Sequence, residues 1–119
     1  MTAAEIVETL GAKPLAVSDF HPLSKEYVSA FATDLMSDAL AMIQDSPEDT
    51  VLLTGLCNQQ VLRTAQMLDI ELIIIVRGKE FSEEVLRMSR NMGVNVFSTP
   101  FTMYESCGRL YQQGLKAIV

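Results

Sequence analysis

Residues 51–76, VLLTGLCNQQVLRTAQMLDIELIIIV, combine two unlike hydrophobic patterns. Val51, Leu52 and Leu53, and again residues 72–76, are continuous apolar runs rich in branched side chains, the pattern of parallel strands covered on both faces. Between them Val61, Leu62, Ala65 and Leu68 recur at helical spacing. Gln59, Gln60, Arg63 and Gln66 take the other side, and Asn58 is placed to cap the first turn. Strand, helix and strand in that order predict a right-handed crossover. It leaves the turn of Thr54, Gly55, Leu56, Cys57 and Asn58 at the carboxyl end of a strand, the first place to look for a ligand.

The flanking segments extend the alternation. Thr2 and Glu5 match a capping box for a short helix that carries Ile6, Val7 and Leu10, with Gly11 to end it. Residues 13–17 read as a strand and 18–25, which include Asp19, His21 and Pro22, as a loop. Residues 27–32 read as a strand with two unlike faces, Tyr27, Ser29 and Phe31 against Val28, Ala30 and Ala32. Asp34 is expected to cap a helix striped with Met36, Ala39, Leu40 and Ile43, and residues 44–49 to form a solvated turn. Beyond the central unit, residues 77–81 are a loop, and Ser82 with Glu83 and Glu84 suits the start of a helix. Val85, Leu86, Ser89 and Met92 mark that helix's packed side and Gly93 its end. Residues 94–97 are a strand. Thr102 and Glu105 form a second capping box, opening a helix that turns Met103, Cys107 and Leu110 inward; Gly114 ends it and 116–119 form a last short strand.

Helices alternating with strands predict an α/β fold, a three-layer α/β/α arrangement with a mostly parallel sheet. The hairpin-like segment 13–32 is expected to supply an antiparallel strand and so make the sheet mixed. The chain has 119 residues, 49% of them hydrophobic, and carries no internal repeat. Residues 1–119 therefore read as a single domain with one core.

Charge narrows the partners. Nine Lys and Arg against fifteen Asp and Glu give a net charge of -6, which disfavours a nucleic acid partner, since that binding depends on neutralising phosphates. The apolar runs fall well short of the roughly 20 residues that cross a bilayer. The opening MTAAEIVETL reads as an acidic helix start rather than a basic signal peptide, so a cytoplasmic protein without a membrane partner is expected. Cys57 and Cys107 are then reduced thiols. With His21 the sole histidine and only two Cys, no metal site and no cofactor is expected.

The strings DLMSDALAMI at 34–43, LLTGLCNQQVLRTAQMLDI at 52–70 and VRGKEFSEEVLRMSRNMGVNVFSTPFTMYESCGRLY at 76–111 resemble the DRTGG domain family, over roughly residues 33–114. That family is similar to the amino-terminal domain of HPr kinase/phosphorylase. It also occurs in long phosphotransacetylases, beside paired CBS domains in regulated pyrophosphatases, and as small free-standing bacterial proteins. The resemblance implies a regulatory domain, often dimerising. It implies no kinase activity, because that chemistry belongs to a separate domain with a phosphate loop, and no Gly-x-x-x-x-Gly-Lys-Ser/Thr string occurs here. Where many members carry a Gly-Asp-Arg turn after the central strand, this chain has Thr54-Gly55-Leu56-Cys57-Asn58, so no role of that acid and Arg carries over.

Three loops are expected to gather at the carboxyl ends of the strands, where open α/β sheets bind ligands. Thr54, Gly55 and Asn58 come from the first, Arg77, Gly78 and Lys79 from the second, and Ser98, Thr99 and Thr102 from the third. Helix starts, hydroxyls and two cations suit a phosphate or carboxylate. The plainer interpretation makes Asn58, Thr102 and Ser82 caps, Gly55 and Gly78 turns, and Arg77 and Lys79 solvated loop charges. Cys57 beside a helix start is either a reactive thiol or a small apolar filler. His21 lacks the spacing of a catalytic triad. Asp34 and Asp38, four apart, read as a cap and a first-turn acid rather than paired catalytic carboxylates. The seven Met read as core or interface filler. The sequence thus favours a non-catalytic regulatory domain that forms a homodimer and binds a small anionic ligand such as a nucleotide. The alternative is a pure dimerisation or protein-interaction module, paired with itself or a partner enzyme through Tyr104, Tyr111 or the terminal strand. An enzyme is disfavoured by the missing acid/base or nucleophile constellation.

Overall fold

The apolar runs at the centre of the chain become the centre of a sheet. The structure, a computed structural model, describes residues 1–43 and 49–118. The expected solvated turn at 44–49 lies outside those residues except for Asp49, as does Val119. In chain order the elements are α1 (Ala3–Thr9), β1 (Lys13–Ala16), β2 (Ser29–Ala32), α2 (Met36–Met42), β3 (Thr50–Thr54), α3 (Gln59–Met67), β4 (Leu72–Ile75), α4 (Glu83–Met92), β5 (Asn95–Ser98), α5 (Met103–Gln112) and β6 (Lys116–Ala117). The six strands form one sheet in the order β1-β5-β4-β3-β2-β6. β2 to β6 run parallel to their neighbours, and β1 joins β5 antiparallel, with an irregularity between Pro14 and Ala16. The sheet is mixed as expected. The antiparallel strand pairs with the far end of the chain, however, and not with its neighbour in sequence as a hairpin would.

Burial explains why the central strands are apolar at every position. Leu52, Ile73, Ile75 and Val96 pack on one face with Met36 and Ala39 of α2, Val61, Leu62 and Ala65 of α3 and Val85 of α4. Val51, Leu53, Leu72, Ile74 and Phe97 pack on the other with Ala3 and Ile6 of α1, with Leu10 at its C-cap and with Leu110 of α5. Alternate residues of each strand thus serve opposite helical layers, giving α2, α3 and α4 on one side and α1 and α5 on the other.

Local signals mostly hold. Thr2 and Glu5 form the reciprocal capping box of α1, Asn58 caps α3, and Ser82 caps α4, which ends at Gly93 with φ 75°. Three expectations are corrected. The second capping box is half formed: Thr102 accepts from the Glu105 amide, but the Glu105 carboxylate reaches forward to Arg109 Nε at 3.0 Å, one helical turn away. The strand expected over 27–32 begins at Ser29, because the Tyr27 amide donates to the Met1 carbonyl and the Val28 amide to that of Asp49, outside the ladder. Asp34 does not cap α2. Its N-cap is Leu35, without a side-chain cap bond, and the Thr33 hydroxyl accepts from the Leu35 amide instead, leaving Asp34 available elsewhere.

Candidate functional site

Parallel strands bring their carboxyl ends to one edge of the sheet, so the loops after β2, β3, β4 and β5 meet there. At its centre is the turn after β3. Asp34, from the loop after β2, takes two donors of that turn on one oxygen: the Gly55 amide at 2.6 Å and the Thr54 hydroxyl at 3.3 Å. The Thr54 oxygen also accepts from the Leu56 amide at 3.1 Å. Lys79, from the loop after β4, donates its ammonium to the Gly55 carbonyl at 2.9 Å. A β-carbon placed on Gly55 would stand 2.8 Å from Arg77 Nη2 and 3.3 Å from Asp34 Oδ1. Only glycine lets the guanidinium lie against this turn.

Arg77 reaches that position through a costly backbone. Arg77 and Gly78 have φ of 64° and 67°, two consecutive left-handed residues that reverse the chain as a type I′ turn does. Glycine accepts this without penalty, whereas for an L-residue it costs about 1 kcal/mol or more. The Arg77 amide is tied to the Phe101 carbonyl at 2.8 Å and the Gly78 amide to that of Thr99 at 2.7 Å, so the loop after β5 holds the loop after β4 in shape. Both cations are exposed. Among the described residues, neither has a carboxylate within ion-pair distance, although the chain carries a net charge of -6.

The expected ligand residues therefore divide into two groups. The exposed Arg77 and Lys79 converge on the turn of Thr54 and Gly55, both themselves buried, and Gly78 shapes the loop that carries the two cations. Asn58 and Thr102 are exposed, but their side chains are engaged as the caps of α3 and α5. Ser98 and Thr99 are buried: the first donates to the Lys79 carbonyl at 2.8 Å, the second to the Leu10 carbonyl at 2.6 Å. Their hydroxyls support the edge from within. Asp34 is the member that sequence reading assigned elsewhere. No local signal assigns it here, since its partner, the Gly55 amide, lies 21 residues further along the chain.

Cys57 lies in the same cluster, its thiol 3.7 Å from the Gly55 carbonyl. Burial pushes this thiol up, Lys79 and Arg77 pull it down, and Asp34 adds a smaller push up; the net direction is upward. It is held as a protonated thiol rather than an activated thiolate. Cys107 is likewise raised by burial.

Other features lie away from this edge. A groove of about 160 Å³ between β2 and α5 is lined mainly by Ala30, Ala32, Leu53, Leu110 and Leu115, beside Tyr104 and Tyr111, which are 90% and 73% exposed. At the opposite end of the sheet His21 and Lys25 flank the Glu71 carboxylate. No group of three or more possible metal ligands occurs among the described residues, and no helix among them is long and apolar enough to cross a membrane.

Comparison with known proteins yields likeness to solved structures but no match to a family model or a curated protein. The fold is similar to the regulatory region of Clostridium perfringens pyrophosphatase, comprising its CBS and DRTGG domains, solved in complex with the activator diadenosine tetraphosphate. The TM-score is 0.70 at 18% identity, over 98% of this chain and 48% of that one. The chain thus spans about half the length of that structure, and the likeness is one of fold.

Proposed function

We propose that this chain is a single regulatory, non-catalytic domain of the DRTGG kind, working in the cytoplasm as a homodimer, which binds a small anionic ligand such as a nucleotide at the edge formed by Thr54, Gly55, Arg77, Gly78 and Lys79. The observation that carries this reading is the convergence of Arg77 and Lys79 on the Gly55 turn without a carboxylate in ion-pair distance among the described residues. Two cations held by a left-handed turn and a lysine-to-carbonyl bond are pre-positioned donors for phosphate or carboxylate oxygens. That a structure of the same fold was solved with a nucleotide activator supports the ligand class. Ser98, Thr99 and Thr102 serve the site by fixing the loops behind it.

A second reading, an assembly module without a small-molecule ligand, is favoured by the exposed Tyr104 and Tyr111 beside the apolar groove under α5. A thermal-shift screen against mono-, di- and polyphosphate nucleotides and simple anions, run at two protein concentrations, separates the two. A ligand raises the melting temperature with occupancy. The expected result is a rise of several degrees with a phosphorylated ligand that vanishes in Arg77→Ala/Lys79→Ala. Absence of any rise, with a melting point that climbs with protein concentration, would replace the sensor with the assembly module.

A further inference from the structure

The turn after β3 already holds an anion. Asp34 Oδ1 takes the Gly55 amide at 2.6 Å and the Thr54 hydroxyl at 3.3 Å. These are the two donors that an incoming phosphate oxygen would need beside the guanidinium and the ammonium. The acid comes from a different loop, 21 residues earlier in the chain, and has left the capping position that its sequence context offers. No side chain caps α2 in its place; the Thr33 hydroxyl accepts only from the Leu35 amide at 3.0 Å. Asp34 is exposed, so its carboxylate can swing from the turn into water. Arg77 and Lys79 lie close to the same turn, yet neither comes within ion-pair distance of Asp34. The acid is satisfied by the neutral donors, and the cations are left for another partner.

We propose that Asp34 is a resident carboxylate that occupies the anion position of the Gly55 turn, and that a phosphorylated ligand binds by displacing it. The proposal rests on the anion-site reading above and adds the device that sets its affinity and selectivity. A ligand must bring enough charge to engage Arg77 and Lys79 and to replace the acid on Gly55 and Thr54. Pyrophosphate and polyphosphate groups are therefore favoured over singly charged anions, and the site stays closed to the acids and chloride of its surroundings.

Isothermal titration with inorganic pyrophosphate tests this on the wild type, Asp34→Asn, Asp34→Ala and Arg77→Ala/Lys79→Ala. Asp34→Asn keeps an oxygen acceptor for the Gly55 amide and removes the charge. It is expected to bind pyrophosphate about tenfold or more tightly, as loss of a like charge a few ångströms from the ligand implies. Asp34→Ala serves the same comparison if the first variant does not fold. Unchanged or weaker binding by the Asp34 variants, while the Arg77/Lys79 variant still loses binding, overturns displacement and leaves the anion site standing. Pyrophosphate binding that survives in the Arg77/Lys79 variant overturns the site itself. In the wild type the Gly55 amide is expected to shift in a 15N-correlated NMR spectrum on saturation with pyrophosphate. A Gly55 resonance that stays fixed while the Arg77 and Lys79 resonances move overturns the displacement.

Discussion

Replacing Gly55 with alanine separates the ligand edge from the fold beneath it. The new methyl group would stand 2.8 Å from Arg77 Nη2, so the guanidinium must retreat by about 0.6 Å to reach ordinary contact at 3.4 Å, and Asp34 Oδ1, at 3.3 Å, must give a little. Both are ends of exposed side chains, so the native state loses little, a strained rotamer costing about 0.5–1.5 kcal/mol at most. Gly55 lies outside the left-handed region, and the alanine restricts the unfolded chain by about 0.4–1 kcal/mol in the opposite sense. The two terms nearly cancel, and the melting temperature should stay within about 5 °C of the wild type. Anion binding should weaken, because a displaced guanidinium forfeits a charge-assisted hydrogen bond of about 1.5–3 kcal/mol, a loss of about tenfold to a hundredfold. Differential scanning calorimetry gives the first quantity, titration with pyrophosphate the second. A melting temperature lowered by more than about 10 °C would mean that Arg77 is wedged in place as a structural strut. Unaltered affinity in a folded variant would mean that its seat against Gly55 has no part in binding.

Further perturbations probe the layers separately. Arg77→Gly relieves a left-handed residue at φ 64° and should hold or raise thermal stability by up to about 1 kcal/mol while abolishing anion binding; Gly78→Ala, at φ 67°, should lower stability by about that amount in the same melting assay. Ile74→Asp buries a carboxylate at a position with no exposure and should give an unfolded protein by circular dichroism. Asn95→Ala removes the side chain that receives the Ser18 amide at 2.6 Å and donates to the His21 carbonyl at 2.9 Å. It should cost about 2–3 kcal/mol in chemical denaturation. Burial, with the charges of Glu71 and Asp49, raises the Tyr27 phenol well above its usual 10.0. The folded state thus keeps a proton that the unfolded chain gives up. The resulting stability is complete below pH 10 and is lost as pH rises further, so Tyr27→Phe should flatten the alkaline limb of a stability profile measured in denaturant.

How far the sequence could be read depended on how local each cause was. The unit from β3 to β4 was legible because continuous branched runs and a cap at Asn58 are signals carried within a few residues. The same holds for Ser82 and Gly93 at the two ends of α4. Asp34 was misread because its local context offers it as a cap for α2, a helix that no side chain caps. Its carboxylate is drawn instead to the Gly55 amide, a tertiary contact that no local pattern encodes. Ser98 and Thr99 were rightly placed at the sheet edge, yet their inward direction is set by the Lys79 and Leu10 carbonyls, the latter 89 residues distant in sequence. The pairing of β1 with β5 was hidden for the same reason: short polar-edged strands specify no partner until the central sheet exists.

That pairing governs the order in which the molecule can assemble. β1 is made early but its neighbour is β5, and the outer edge of β2 is covered by β6 over Ser29 and Ala30. As the chain leaves the ribosome, β2, β3 and β4 can begin a sheet while β1 waits for a strand some eighty residues away. Until then two open strand edges face the crowded cell, where they are templates for pairing with foreign chains. Because the cost of closing those long loops precedes the contacts that offset it, β1 should join the sheet late, and refolding should be slower than for a helical domain of the same size.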